Sequence, residues 1–304
     1  MPVSLSQIKS ELLPGLFDVR GSYDMIPRQW DKVFTTHKSN MALERSTQMR
    51  FLGLPQLKAE GGATSFDNNA GERWVFNFEH QEVALGYAIT RKAIDDNLYK
   101  AQFNPTNLKL QESFSQFKEI QGANILNTAT TYNASIGGDG QSLCSSAHPY
   151  DGGTWSNITA TPVDLSESTL LQAMINIRTG FYNEAGLRIL SRARRLIVPA
   201  AQEPVAIRLT KTELRPGTAN NDVNAILTTA GGLPEGYIVL DFLTSNYAWF
   251  LSTNVDGLVH MLRIPFEMDM QVDFVTDNLL VKGYERYSFG YNDPRAIYGS
   301  FPTS

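Results

Sequence analysis

The chain has 304 residues, of which 42% are hydrophobic and 19% charged, and its formal net charge is −5. A chain of this length buries a large core without disulfide or metal staples, and its acidic balance argues against a dedicated nucleic-acid binder, which needs a basic face. No apolar run approaches the roughly 18 residues of a membrane span, and residues 1–16 lack a signal-peptide core, so we expect synthesis in the cytosol.

The first 40 residues have the composition of an arm. Pro14 and Pro27 interrupt the segment, yet it carries several large apolar side chains, among them Trp30 and Phe34. Such a segment is too apolar for a disordered tail and too broken for a domain. We expect residues 1–40 to become ordered by lying on a neighbouring subunit.

Residues 41–90 change to a period of two, which is typical of strands. Trp74, Phe76 and Phe78 alternate with polar side chains, while residues 57–73 are polar and glycine-containing and include Phe66. The pattern predicts a long β-hairpin with a mobile tip. Because a two-stranded ribbon is marginal alone, its aromatic face predicts a partner surface.

A long helix is predicted over residues 104–131. Asn104 precedes Pro105, and proline is well tolerated at the first helical position, where its missing N–H is not needed. At 1.5 Å per residue, this helix would be the longest rigid element of the chain. A connection rich in glycine and serine follows it, through residues 137–140 to 152–153.

The second half of the chain predicts a mixture of helices and strands. An amphipathic helix is expected over 166–180 with Leu170, Met174 and Ile177 on its apolar face, and turn residues dominate 215–224. The remaining elements are a buried strand at 195–199, a short helix ending near 210, and strands at 237–243, 247–251, 257–264, 266–275, 279–287 and 295–300.

Four blocks of sequence, in this order, resemble the major capsid proteins of tailed bacteriophages with the Hong Kong 97 fold. Gly-Gln-Ser-Leu-Cys-Ser-Ser-Ala-His-Pro (140–149), Arg-Leu-Ile-Val-Pro (195–199) and the block at 213–224 are similar to the phage Mu-like head subunits. The ending at 284–299, from Tyr-Glu-Arg-Tyr-Ser-Phe-Gly-Tyr to Ala-Ile-Tyr-Gly, is similar to the closing strand of phage capsid subunits generally.

This resemblance implies an α+β fold and a division of the chain into five parts. These are an N-terminal arm (1–40), an extended loop (41–90), the first part of a peripheral domain (91–149) with its spine helix at 104–131, an axial domain (150–265) and closing strands of the peripheral domain (266–304).

The same resemblance implies a structural function. The subunit is expected to assemble with itself into pentamers and hexamers that form an icosahedral shell around double-stranded DNA, in a virion assembled in the bacterial cytoplasm. Portal, scaffolding and decoration proteins are the implied partners, with no cofactor, no metal, no membrane and no enzymatic activity. A nanocompartment shell of the same fold, enclosing an enzyme, is the first alternative.

A cysteine-dependent hydrolase is a second, more remote alternative. Cys144 and His148 lie four residues apart, and such a pair can supply a nucleophile and a base. The surrounding serine and glycine loop does not promise the rigid scaffold that this chemistry needs. The other histidines are scattered without metal-ligand spacing, and Gly137-Gly138-Asp139-Gly140 lacks the lysine of a phosphate loop, so we expect a plain flexible connection.

The remaining candidate sites all concern assembly. Glu267, Asp269 and Asp273 are predicted to be the wet side of a half-buried strand. Lys58 and Lys92 raise the possibility of lysine–asparagine crosslinks, which some relatives form, although no partner asparagine is evident. The side chains expected at subunit interfaces are Trp30, Phe34, Phe66, Trp74, Phe76, Phe78, Arg192, Arg194 and Arg195, the three arginines being candidates for contact with a neighbour's carboxylates or with DNA.

Overall fold

The computed structural model describes residues 23–67, 71–96, 100–212, 224, 226–227 and 232–303. Most of the predicted arm (1–22) and of the turn segment 215–224 lies outside these residues. The strands are β1 (Thr35–Lys38), β2 (Leu43–Met49), β3 (Glu72–Glu79), β4 (Gln81–Ile89), β5 (His148–Tyr150), β6 (Gly153–Trp155), β7 (Ala193–Val198), β8 (Tyr237–Val239), β9 (Trp249–Thr253), β10 (Leu258–Val272), β11 (Leu279–Tyr291) and β12 (Ile297–Ser300). The α-helices are α1 (Arg91–Asp95), α2 (Lys100–Asn127), α3 (Glu167–Gly180) and α4 (Glu203–Lys211).

A first sheet has the strand order β1-β10-β11-β4 and packs against α2. The predicted strands 257–264 and 266–275 form one strand, β10, whose register with β11 shifts on both sides of Ile264. Pro265 lies at this irregularity, where a residue without an N–H does not interrupt a regular ladder. Beyond it, Phe266, Met268 and Met270 are buried and alternate with exposed polar residues, which confirms the predicted pattern.

The long helix is present, but its predicted bounds are wrong. Among the described residues it begins at Lys100 and ends at Asn127, so Pro105 lies inside it. Proline has no backbone N–H, so one hydrogen bond is missing near the N-terminal end of the helix. The hydrogen bonds farther along the helix do not depend on that N–H. Farther along, the carboxylate of Glu119 accepts the backbone N–H groups of Gln29 (2.7 Å) and Trp30 (3.1 Å). The helix therefore fixes the segment that precedes β1.

The predicted hairpin is formed by β2 and β3, which pair antiparallel from Leu43 with Glu79 to Met49 with Glu72. Strand β4, which we predicted to belong to the extended loop, pairs with β11 along its whole length instead. The physical reason is its buried side: Val83, Tyr87 and Ile89 pack against the core under the first sheet. The hairpin thus ends at residue 79.

A second sheet has the strand order β12-β9-β7-β8, and helices α3 and α4 pack against it. Helix α3 confirms the prediction for 166–180: Ser166 caps it in a reciprocal capping box with Thr169, a device that satisfies two free N–H groups. Its predicted apolar face is buried. Strand β7 confirms the buried strand at 195–199. Strand β12, expected with the peripheral closing strands, pairs with β9 in this sheet.

His260 on β10 is a buried base in the aromatic core. Its Nδ1 lies 3.1 Å from Oγ1 of Thr36, and its ring centroid lies 4.3 Å from that of Trp30. Burial and the positive charges of Lys118 and Arg28 lower the pKa of this imidazole. Because the unfolded chain then binds more protons below a pH of about 6.5, the stability that neutral His260 contributes is present above that pH and is lost as the pH falls.

We therefore expect acidification from pH 7 to pH 5 to cost about 2 kcal/mol of unfolding free energy through this group. Urea unfolding of the subunit at both pH values measures the loss. His260→Phe keeps an aromatic ring without a titrating nitrogen and should reduce the pH dependence by that amount. An unchanged pH dependence in this variant would contradict the assignment.

Candidate assembly surfaces

Four aromatic side chains that we expected at subunit interfaces lie in the subunit's own core. Trp30, Phe34, Phe76 and Phe78 are at most 5% exposed. Trp30 and Phe34 each make edge contacts with Phe289 of β11. The prediction that these four face neighbours is wrong, because the segment before β1 and the base of the hairpin both pack against β11 of the first sheet, in the subunit's own core.

Phe76 is held by the glycine loop that we expected to be a plain flexible connection. The backbone N–H of Asn77 donates to the carbonyl of Ile136 at 2.7 Å, and that of Gly138 donates to Val75 at 3.0 Å. Gly138 has a φ of 95°, and a Cβ on it would collide with the Phe76 ring. The loop is therefore not a plain flexible connection, because it is hydrogen-bonded to β3. Gly138 permits both the positive φ and the close approach of the Phe76 ring.

The loop between β2 and β3, described over residues 50–67 and 71 and called the hairpin loop below, is rich in exposed apolar side chains. Phe66, predicted at an interface, is 85% exposed. Trp74 at the base is half-buried, with the Arg73 guanidinium 4.5 Å from its ring centroid. Besides Phe66, the exposed set of the loop comprises Phe51, Leu52, Leu54 and Leu57, and Met49 at the end of β2 is exposed beside it. Exposed apolar side chains concentrated in this way on a protein surface mark an interaction surface.

Two further exposed apolar features lie on the first sheet. Phe274 and Val275, in the turn between β10 and β11, are 96% and 86% exposed. Leu85 and Phe117 line a groove between β4 and α2 and are 50% and 39% exposed. Sequence reasoning missed both, since a period-two pattern does not tell which face of a sheet another part of the chain covers.

The arginine cluster divides into a structural residue and two surface residues. Arg195 pairs with Glu235 at 2.9 Å and donates to the carbonyl of Lys32, so it joins the second sheet to the segment before β1. Arg194 also pairs with Glu235 but keeps an exposed side chain. Arg192 is exposed. Arg192 and Arg194 stay predicted contacts, whereas the bonds of Arg195 lie within the subunit.

Cys144 and His148 are both buried, but their environments do not make a nucleophile and base. Burial raises the pKa of the Cys144 thiol, which favours the unreactive protonated form. The His148 ring has Asp139 Oδ2 at 2.6 Å from Nδ1 and Asn157 Oδ1 at 3.1 Å from Nε2. Because Ser145 donates to that same Asn157 oxygen, the oxygen is an acceptor and Nε2 donates to it. Both ring nitrogens are occupied by a structural network.

The other candidate residues lie on the surface of the subunit or stabilise a turn. Glu267 and Asp269 lie on the exposed side of β10, as predicted, but Asp273 caps the following turn by accepting bonds from Val275 and Thr276. Lys58 is exposed in the hairpin loop.

Within the described ranges, no three His, Cys, Asp or Glu side chains are grouped to hold a metal. None of the described helices has the length and apolar character that a bilayer crossing requires.

Comparison with known proteins assigns this architecture. A family model for phage capsid proteins matches residues 79–300, which include strands of both four-stranded sheets and helix α2. A search of curated protein sequences found no match. The structure is similar to a virus-like particle subunit from Pyrococcus furiosus, with a TM-score of 0.55 and 10% identity over 96% of this chain and 100% of that chain.

Two further capsid structures have a comparable similarity. The capsid of an empty GTA particle has a TM-score of 0.58 and 10% identity, covering 90% of this chain and 88% of that chain. The procapsid of bacteriophage JBD30 has a TM-score of 0.53 and 12% identity, covering 99% of this chain and 77% of that chain. At these identities the likeness establishes the fold, and it confirms the predicted Hong Kong 97-like fold. The family match covers more than half of the chain, which therefore belongs to the phage capsid protein family.

Proposed function

We propose that this chain is the major capsid subunit of a tailed bacteriophage, which assembles with itself into pentamers and hexamers and closes into an icosahedral shell. The observation that carries this proposal is the hairpin loop, whose apolar side chains are exposed in the single subunit, together with the family membership. Obligate interfaces typically bury about 2,000–5,000 Å², and a projecting loop is an efficient way to reach such areas.

The described elements suggest how the subunit is divided. We assign the segment up to residue 40 to the N-terminal arm and the β2–β3 hairpin to the extended loop. The first sheet with α2 then forms the peripheral domain, and α3, α4 and the second sheet form most of the axial domain, which would pack around five-fold and six-fold centres. The covered arm aromatics indicate that residues 23–40 also serve the subunit's own core.

The partners and location follow from this role. The shell would enclose double-stranded DNA without binding it specifically, for which the net charge of −5 is suitable, since an acidic wall does not adsorb phosphates. A portal protein, a scaffolding protein and a decoration protein are the expected partners, and assembly would take place in the cytoplasm of the bacterial host.

A nanocompartment is the alternative from the same fold. The likeness to the archaeal virus-like particle (TM-score 0.55) is no stronger than that to the GTA capsid (0.58), so structural similarity does not favour it. The contents of purified particles separate the two functions. Nuclease-protected DNA supports the phage capsid, whereas a single enclosed protein would support the compartment.

Electron microscopy of the purified chain tests the proposal directly. We expect closed shells under some combination of salt, crowding agent and added scaffolding protein, because shell closure depends on many weak contacts formed together. Monomers alone under every condition would contradict the proposal.

Replacing Leu57 and Phe66 with serine should block shell assembly and leave the subunit folded. Both side chains are at least 85% exposed, so their removal takes nothing from the subunit core, and surface substitutions of this kind usually change stability by less than about 0.5 kcal/mol. Thermal unfolding measures the first effect and light scattering during assembly the second. Thr64→Ser in the same loop is the matched control. Normal assembly of the double variant would exclude the loop from the interface.

Cys144 should be inert in the folded subunit. A thiol-reactive probe is expected to label it rapidly only after unfolding in urea, because the folded thiol is buried and protonated. His148→Ala should lower the unfolding free energy by about 3 kcal/mol, since it removes a buried ring together with its bonds to Asp139 Oδ2 and Asn157 Oδ1. Rapid labelling of the folded protein that His148→Ala abolishes would instead support the hydrolase alternative.

A further inference from the structure

Two arginines stand where the hairpin loop leaves its strands. Arg50 follows the last residue of β2, Arg73 lies at the start of β3, and the backbone N–H of Arg50 donates to the carbonyl of Gly71 at 2.9 Å. Both guanidinium groups contact one carboxylate: Arg50 Nη2 bonds to Oδ2 of Asp151, and Arg73 Nη1 lies 3.0 Å from its Oδ1. A single side chain thus joins the two limbs at the base of the loop.

Asp151 itself is firmly placed. It lies in the turn between β5 and β6, and its backbone N–H donates to the carbonyl of Glu184 at 2.9 Å. Arg73 Nη1 donates to the same carbonyl at 3.0 Å. The Glu184 carboxylate, almost fully buried, pairs with Arg295 at 3.0 Å, and Arg295 also pairs with Asp293. The carboxylate of Asp151 is therefore connected to the interior of the subunit through a chain of bonds.

The rest of the hairpin base is attached at other points. Gln48 Nε2 donates to the carbonyl of Asn292 at 2.8 Å, and the glycine loop holds Phe76 as described above. These contacts fix the paired part of β2 and β3. Of these contacts, those of Arg50 and Arg73 with Asp151 lie nearest to the loop. They therefore have the largest effect on the direction in which the loop leaves the strands.

We propose that Asp151 is a positioning residue for assembly: its carboxylate, held between Arg50 and Arg73, sets the direction in which the hairpin loop leaves the subunit. This inference rests on the proposed function, in which the loop contacts neighbouring subunits. The side chains of Asp151, Arg50 and Arg73, called the clamp below, are 39%, 26% and 21% exposed, so water and salt reach their ion pairs. Ion pairs of this kind are weakened by salt, and the loop direction is thereby open to adjustment as contacts form.

The first test measures the loop in unassembled subunits. Asp151→Asn keeps the size of the side chain but removes its charge, and we expect backbone amide hydrogen exchange at residues 49–54 and 71–75 to become about fivefold faster. The thermal unfolding midpoint should stay close to that of the unaltered protein. Asp95→Asn, which removes the charge of an exposed ion pair with Arg91 elsewhere, is the matched control. Asp151→Glu should restore slow exchange.

Unchanged hydrogen exchange in Asp151→Asn would contradict the proposal that Asp151 holds the base of the hairpin loop. If that variant does not fold, 1 M NaCl added to the unaltered subunit provides the same test, because screening of the ion pairs should accelerate exchange in the same two segments. Insensitivity of these segments to salt would then overturn it.

The second test measures assembly. Under conditions in which the unaltered chain closes shells, Asp151→Asn should give fewer closed shells and a wider range of particle diameters in electron micrographs, and Asp151→Glu should return both toward normal. Faster exchange with normal shells would overturn the positioning role. Failure of the unaltered chain to form shells under any condition would count against the proposed function, while the exchange measurement would still decide the clamp.

Discussion

One core cluster joins the two sheets and the base of the hairpin. Phe76 and Phe78 from the hairpin pack in it with Ile197 and Phe250 from the second sheet and Val259 from the first. Buried apolar side chains of this size each contribute roughly 1.5–3 kcal/mol. Because the same cluster serves all three parts, the sheets and the hairpin base have one fixed arrangement, from which the hairpin loop extends.

This constraint separates two kinds of apolar side chain in one hairpin. At the base, the aromatic side chains are covered by the glycine loop and by β11, and they stabilise the subunit. Beyond Arg50 and Arg73, side chains such as Leu57 and Phe66 are exposed, and their burial must come from another molecule. The border between the two kinds lies at the ion pairs with Asp151, where the paired strands end. Folding and assembly therefore use adjacent parts of the same element.

Local patterns correctly predicted helix α3 and strand β7 in the second half of the chain. Helix α3 could be predicted because Ser166 is a strong cap and Leu170, Met174 and Ile177 recur at helical spacing. Strand β7 could be predicted because a short apolar run ends at a proline. The start of α2 could not, since Pro105 looks like a first helical residue while the surrounding contacts allow one missing hydrogen bond inside the helix.

The candidate site was harder to predict, because exposure depends on tertiary structure. The alternation around Phe76 and Phe78 correctly indicated a strand, but the pattern is silent on whether the aromatic side faces its own subunit or a neighbour. The pairing of β4 with β11 and of β12 with β9 likewise depends on contacts between distant residues. Asp151 carries no motif at all. Its role follows only from the convergence of two arginines that lie 23 residues apart.

The central claim is that neighbouring subunits bury the hairpin loop in the shell. A cryo-electron microscopy reconstruction of assembled particles, at a resolution that distinguishes side chains, measures this most directly. The account predicts that Leu57 and Phe66 of one subunit are covered by an adjacent subunit, while Phe76 and Phe78 keep their places in their own core. A closed shell in which the loop lies in solvent, with the subunits joined elsewhere, would contradict it.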